Sequence, residues 1–377
     1  MRHHLRLFAI FSIAFSTGLA WSETTLDATK PANHGGNANP SLASSQASWQ
    51  ACRSIASEHE RLACFDAWAL SQTSPGTPDN PAPGIAADCR NGNTSVLSKF
   101  WELEEASDCG RFNIRGYRPI SLSVVASDAV NTSPSSDAAG HSASSSTPYQ
   151  TQEMRIQLSV RTKVGQGLVQ TAQARDSLWF AYSQQSYWQV FTPDLSRPFR
   201  TTDHEPELIY ILPTDAMLPL GWRLRYSGLS LNHQSNGQSL PLSRSWNRVI
   251  AMAGMEKNNW VVSGKFWQRV PESAENDDNP GIENWVGRAE LNAGWLVNAE
   301  NTLGLTMRSA LSGTTRGSYK LDWFKALGSS ARTPELGNQR SGGLRLHVQL
   351  FSGYGDTLID YNRARTVLSV GLSLVDW

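Results

Sequence analysis

From about residue 150 to the C-terminus, apolar and polar residues alternate in short runs separated by turn-forming residues. In 154–164 (MRIQLSVRTKV), Ile156, Leu158 and Val160 alternate with polar neighbours. Side chains on a strand point to opposite faces with period two, so this run has one apolar face and one polar face. The segment 178–190 is aromatic at both ends, with Trp179, Phe180 and Tyr182, then Tyr187 and Trp188. A strand crossing a bilayer between two aromatic girdles would read this way. Further strands are expected at 205–212, 222–235, 245–255, 260–270, 285–297, 302–310, 318–326, 344–353, 357–363 and 366–375, which makes twelve. Tight polar turns (Lys257-Asn258-Asn259 and 298–301) are mixed with long connections, as in outer-membrane barrels. In 222–235 the apolar parity switches: Leu224 and Tyr226 share one face, Leu229 and Leu231 the other. A lipocalin-like barrel or a sandwich would show similar strands, so periodicity by itself leaves both readings open.

Upstream the texture differs. Arg2 and Arg6 precede a short apolar run, 7–19 (LFAIFSIAFSTGL), and Ala20-Trp21-Ser22 supplies small residues at cleavage-reading positions. Residues 1–22 therefore read as an export signal cut after Ser22, with a cut after Ala20 as the alternative. Residues 23–50 have the composition of a disordered tether, and 51–70 reads as helical, with Ile55, His59, Leu62 and Ala63 on one side. A Pro-rich spacer, 71–87, follows. A short helix is expected at 99–105 and an extended run at 120–125. The Ser/Ala-rich stretch 126–148 reads as a flexible linker. The expected division is signal peptide 1–22, periplasmic extension with linkers 23–150, and transmembrane barrel 151–377.

Composition narrows the class. Net charge is zero and charged residues are 18%, so no basic nucleic-acid surface is indicated. Mean hydropathy is −0.38, and no uncharged apolar run of helix-spanning length follows the N-terminus, which excludes spanning helices but not spanning strands. Fourteen tryptophans suit a membrane–water interface. All four cysteines, Cys52, Cys64, Cys89 and Cys109, lie in the exported N-terminal part. An even count there suggests two disulfides. Three connectivities are possible and sequential pairing is the most economical; the spacings are not those of zinc ligands. A straight helix would hold Cys52 and Cys64 about 18 Å apart, so their pairing requires 51–70 to fold back on itself.

The candidate chemistry lies in 231–248, LNHQSNGQSLPLSRSWNR. His233 and Ser235 are two apart, hence on one strand face and about 6.6 Å apart along it. Asn247 follows a turn-rich segment (Asn236-Gly237, Pro241). If the two flanks are adjacent antiparallel strands, Asn247 meets the far side of His233. Ser235 would then be nucleophile, His233 base and Asn247 orienting group. Leu229 and Leu231 share the face of His233 and Ser235, so that face is expected to point to lipid.

The text around this hairpin, NHxSNG followed by SRSWNR, resembles the active-site hairpin of the bacterial outer-membrane phospholipase A family. The resemblance extends through DSLWF (176–180), RPFR (197–200), DDNP (277–280) and FSGYGDTLIDYN (351–362). It implies an all-β fold, a twelve-stranded antiparallel transmembrane barrel. It also implies calcium-dependent hydrolysis of phospholipid acyl esters, phospholipase A1 with A2 and lysophospholipase activity, in the outer membrane, switched on by reversible homodimerisation. The same resemblance assigns Gly237 as backbone oxyanion donor. Ca2+ ligands would come from Ser243, the Gln238 carbonyl and the Ser196 carbonyl of a second subunit, with Asp278 at a further calcium site. Gln184 would be a dimer contact. Family members can carry an acidic residue where this chain has Leu240, which should weaken a second, monomer-accessible calcium site. Two other classes stay open: a non-enzymatic pore or structural barrel, and a soluble secreted esterase.

Overall fold

In a bilayer every backbone N–H and C=O of a spanning strand must find a partner, and a closed antiparallel barrel supplies one for each. The computed structural model has this architecture and describes residues 52–72, 94–169, 175–313, 316–327 and 343–374. The expected signal peptide, the tether and most of the spacer lie outside the described residues. The strands are β1 (Ile114–Gly116), β2 (Ser121–Ser127), β3 (Gln152–Gln166), β4 (Ser177–Trp188), β5 (Thr201–Met217), β6 (Arg223–Ser235) and β7 (Ser245–Lys257). They continue as β8 (Trp260–Arg269), β9 (Ala289–Leu296), β10 (Asn301–Ser309), β11 (Gly317–Ala326), β12 (Arg345–Gly353) and β13 (Arg365–Ser373). From β3 to β13 each strand pairs antiparallel with the next, and β2 lies between β13 and β3, closing the ring at twelve strands. The three-residue β1 pairs with β3 beyond the reach of β2.

Three expectations need correction. Residues 357–363 are not a strand: Leu358, Ile359 and Tyr361 are all buried although they differ in parity, because the segment is a turn folded against the barrel. The Thr357 hydroxyl donates to Asp360 at 2.8 Å within that turn. The twelfth strand is instead β2, so the barrel begins at Ser121 and not at 151. The stretch after it, read as a free linker, is fastened at several points. The Ser136 hydroxyl donates to the Asp278 carbonyl at 2.7 Å, and Asn362 Nδ2 to the Ser135 carbonyl at 3.0 Å. Those bonds come from loops more than a hundred residues away, which local composition cannot reveal.

The two barrel faces sort by chemistry. Leu122, Leu158, Phe180, Leu208, Leu229, Leu231, Phe266, Leu321 and Leu368 are exposed outward. Inward, Arg155 donates to Gln349 and Ser369 at 2.5 and 2.9 Å, and His347 meets Asp322 at 2.9 Å. Isolated, these buried groups would be costly, and pairing inside the lumen offsets part of that cost. The parity switch in β6 has a physical cause. Leu224 and Tyr226 oppose consecutive residues Met255 and Gly254, so Arg225 is a bulge residue that shifts every later side chain to the opposite face. Tyr226 turns inward over Gly254, where an added Cβ would lie 2.2 Å from the ring.

The end of the barrel with the shorter turns is occupied by residues 94–118. Ser95 caps the short helix α1 (Val96–Trp101) by accepting from Ser98 N–H. Trp101 packs among Tyr117, Trp179 and Tyr226. Glu102 pairs with Arg115 and Lys163 in full burial, and the Tyr117 hydroxyl donates to Glu207 at 2.7 Å. Residues 52–72 form a separate unit. There the helix expected over 51–70 is interrupted: a helical turn holding Cys52 precedes a helix at Glu58–Gln72. The break allows a Cys52–Cys64 disulfide with the Cα atoms 5.5 Å apart. Cys109 is also disulfide-bonded; its expected partner, Cys89, lies outside the described residues.

Candidate active site

Strands β6 and β7 position the polar residues of the hairpin. Because the bulge at Arg225 resets parity, Leu229, Leu231, His233 and Ser235 all face outward, and both leucines are more than half exposed. The register sets His233 directly opposite Asn247, and His233 Nδ1 lies 2.9 Å from Asn247 Oδ1. Ser235 is two residues along on the same face, at the end of β6 where pairing gives way to the loop. No hydrogen bond joins Ser235 to His233; hydrogen bonds of this kind are often loose before a substrate binds.

The loop from 236 to 244 is braced internally. Asn236 is buried and accepts from the N–H groups of Arg244 at 2.9 Å and Gln238 at 3.3 Å, while its amide donates to the Leu242 carbonyl at 2.7 Å. Gly237 adopts φ +62°, a left-handed conformation that suits a residue without Cβ. Fully buried Arg244 donates to the carbonyls of Ser243 at 2.6 Å and His141 at 2.8 Å. Burial pulls its guanidinium below its ordinary value, against the opposing pull of Tyr361 and Asp278.

The loop after β8 docks on this hairpin. Asp278 Oδ2 accepts from the hydroxyls of Ser243 at 2.7 Å and Ser245 at 3.1 Å, and Asp278 Oδ1 meets His141 Nε2 at 3.0 Å. The structure therefore brings Ser243 and Asp278 together. Gln238 sits in the same loop, its side chain donating to the Arg200 carbonyl at 3.3 Å. Ser196 lies apart in the β4–β5 connection, where its carbonyl accepts from Trp188 Nε1 at 2.8 Å. Gln184 shares the outward parity of Phe180 and accepts from the Tyr182 hydroxyl at 3.1 Å.

Comparison with known proteins decides the class. The family model described as phospholipase A1 matches residues 97–374. Phospholipase A1 of Escherichia coli is 36% identical over 226 residues, 59% of this chain and 70% of that protein. The solved outer membrane phospholipase A of Escherichia coli superposes with a TM-score of 0.59 at 29% identity, covering 70% of this chain and 99% of that one. A solved Salmonella typhi outer membrane phospholipase, described as a dimer with bound calcium, gives 0.61 at 28% identity over 75% and 98% of the two chains.

The chain belongs to the phospholipase A1 family. It is an outer-membrane enzyme built on a twelve-stranded barrel. Within that family assignment, two residues beside the hairpin carry no signal in the sequence. Glu272, in the loop after β8, accepts from Asn247 Nδ2 at 3.0 Å. His204 on β5 pairs with Ser235 across the sheet; its ring lies 3.5 Å from where a Cβ on Gly237 would stand, and its Nδ1 is 2.7 Å from the Tyr182 hydroxyl. Neither sits in a recognisable motif, and only the barrel register brings them to the site.

The donor set around Ser243 suits a hard cation, being hydroxyl, carbonyl and carboxylate oxygen. Among the described residues no three His, Cys, Asp or Glu side chains cluster as a metal group. Leu240 stands exposed in the same loop and offers no oxygen from its side chain.

Proposed function

We propose that the enzyme hydrolyses acyl esters of phospholipids, as a phospholipase A1 with A2 and lysophospholipase activity, through Ser235, His233 and Asn247. The observation that carries this reading is the His233–Asn247 hydrogen bond on an outward, leucine-flanked face. A catalytic group on that face meets lipid directly, without a tunnel into the lumen. Ser235 Oγ attacks the ester carbonyl carbon while His233 takes its proton, and His233 then delivers that proton to the leaving alkoxide. Asn247 Oδ1 accepts from Nδ1–H, which leaves Nε2 free to act as base. The Gly237 N–H donates to the developing oxyanion.

Ser243 Oγ and the Gln238 carbonyl would hold a calcium ion beside this loop, with the carbonyl of Ser196 of the partner subunit completing the set and Asp278 serving a further site. Bound there, the ion would supply positive charge to the developing oxyanion. A neutral asparagine stabilises an imidazolium less than a carboxylate does, so added positive charge at the oxyanion has a clear use. Ligands drawn from two subunits make calcium and dimer formation promote each other, with Gln184 at the contact. A phospholipase active only as a reversible dimer would not degrade its own membrane continuously.

The test is hydrolysis of phospholipid in detergent by purified protein, with calcium or with chelator, for the native chain and Ser235→Ala. Release of fatty acid that needs both calcium and Ser235 is the expected result; turnover by Ser235→Ala at the native rate would exclude the serine mechanism. Sedimentation across a calcium titration should show dimer and activity rising together. A dimer fraction indifferent to calcium would remove the shared-ion site. The rival pore reading expects bulk ion conductance, whereas paired side chains line the lumen and residues 94–118 pack at one end of the barrel.

A further inference from the structure

A triad with asparagine as third member has a difficulty that an aspartate version does not. The amide has one acceptor atom and one donor group of nearly equal shape, and only one orientation serves catalysis. With Oδ1 toward His233, the imidazole keeps its proton on Nδ1 and presents a bare Nε2 to the serine. With the amide reversed, Nδ2 donates to Nδ1, the ring proton moves to Nε2, and the ring can no longer accept the serine proton. Something must hold the amide the right way round.

Glu272 is placed to do this. Its Oε1 accepts from Asn247 Nδ2 at 3.0 Å, on the side of the amide away from His233. A carboxylate only accepts, so Nδ2 must face Glu272 and Oδ1 must face His233. Glu272 is itself fixed, because its Oε2 accepts from Arg269 NH2 at 3.0 Å. Arg269 also pairs with Asp277 and donates to the Asn279 carbonyl at 3.3 Å. The strand edge adds a further tie: the Val270 N–H donates to the Asn247 carbonyl at 2.8 Å. Arg269 thus joins the carboxylate to the 277–280 turn, whose Asp278 holds Ser243 and Ser245.

We propose that Glu272 is a positioning residue of the triad: it locks the Asn247 amide in the orientation that commits His233 to the catalytic tautomer. This rests on the hydrolase reading above. It places a negative charge one hydrogen bond behind the asparagine, which also favours the imidazolium formed during acyl transfer.

The test is Glu272→Gln in the native chain and in Asn247→Asp. Gln both donates and accepts, so it releases the amide; kcat should fall about 10-fold or more with KM changed less than about twofold. In Asn247→Asp the orienting group has no wrong orientation and repels Glu272, so Glu272→Gln should leave kcat unchanged or raise it. An equal loss in both backgrounds would mean that Glu272 merely holds the loop, and a native kcat in Glu272→Gln would overturn the proposal outright. The second measurement needs no turnover: nitrogen NMR of the His233 ring in Ser235→Ala protein, with and without Glu272→Gln. Protonation at Nδ1 with Glu272 present, shifting toward Nε2 without it, is expected; an unchanged tautomer overturns the lock. If Ser235→Ala hydrolyses lipid normally, the hydrolase reading fails instead, and the two failures are thereby distinguished.

Discussion

The two faces of β6 are built from the same thirteen residues and obey opposite rules. Inward, Asn232 donates to Glu207 at 2.6 Å and Glu205 at 2.9 Å, and accepts from Arg248 Nε at 3.0 Å. Gln234 accepts from Trp246 Nε1 at 3.0 Å. These two inward amides are each held by more than one partner, on the neighbouring strands β5 and β7. Outward, His233 has one side-chain partner, Asn247, and its neighbours on that face are leucines. The inward face is a network of paired groups, while the outward one leaves the proposed catalytic His233 exposed. Strand alternation lets one hairpin do both, and changes on the two faces should therefore separate activity from stability.

The widest separation is expected from Ser235→Ala. Losing the nucleophile should lower phospholipid hydrolysis by about 10⁴-fold or more, with no change in the unfolding midpoint in detergent. A shifted midpoint would show that the two faces are coupled after all.

On the inward face, Arg248→Ala leaves Glu205 and Asn232 short of a buried partner. Breaking one side of such a network costs about 3–5 kcal/mol, measurable by denaturant unfolding in detergent. Activity should fall only as far as the folded fraction falls. Unaltered unfolding would mean that the lumen pairs add little to the barrel.

A charge on the outward face, Leu231→Arg, sits two residues from His233 and so near the membrane rim. There the cost should be about 1 kcal/mol, well below the 2–4 kcal/mol expected at the midplane. Hydrolysis of lipid should suffer more than hydrolysis of a small soluble ester, because the substitution disturbs the lipid approach and not the triad. Equal losses on the two substrates would point to a damaged triad.

The smallest effect is expected from reducing the disulfides. Cys52–Cys64 lies in a unit of its own, and none of the four cysteines lies in the hairpin, so the initial rate should change less than about twofold. A large loss would tie the N-terminal extension to catalysis.

Much of this was legible from residue order. Period-two alternation exposed most of the strands, and the i, i+2 placing of His233 and Ser235 set them on one face by geometry that any strand imposes. Parity also marked that face as outward through Leu229 and Leu231; a parity switch was visible between Tyr226 and Leu229, but the structure places it earlier, at the extra residue Arg225. Local pattern failed where burial came from elsewhere. The 357–363 run was expected as a strand but is a largely buried turn, and the extended run expected at 120–125 was not counted into the barrel, because a Ser/Ala-rich stretch read as a linker separates it from the other strands. Tertiary structure alone decided that this stretch is tied to Asp278 and Arg244, and that Glu272 and His204 stand beside the hairpin. The physical reason is range: a strand's faces are set by neighbours two residues apart, whereas the partner of a side chain across the barrel is set by register among strands far apart in the chain.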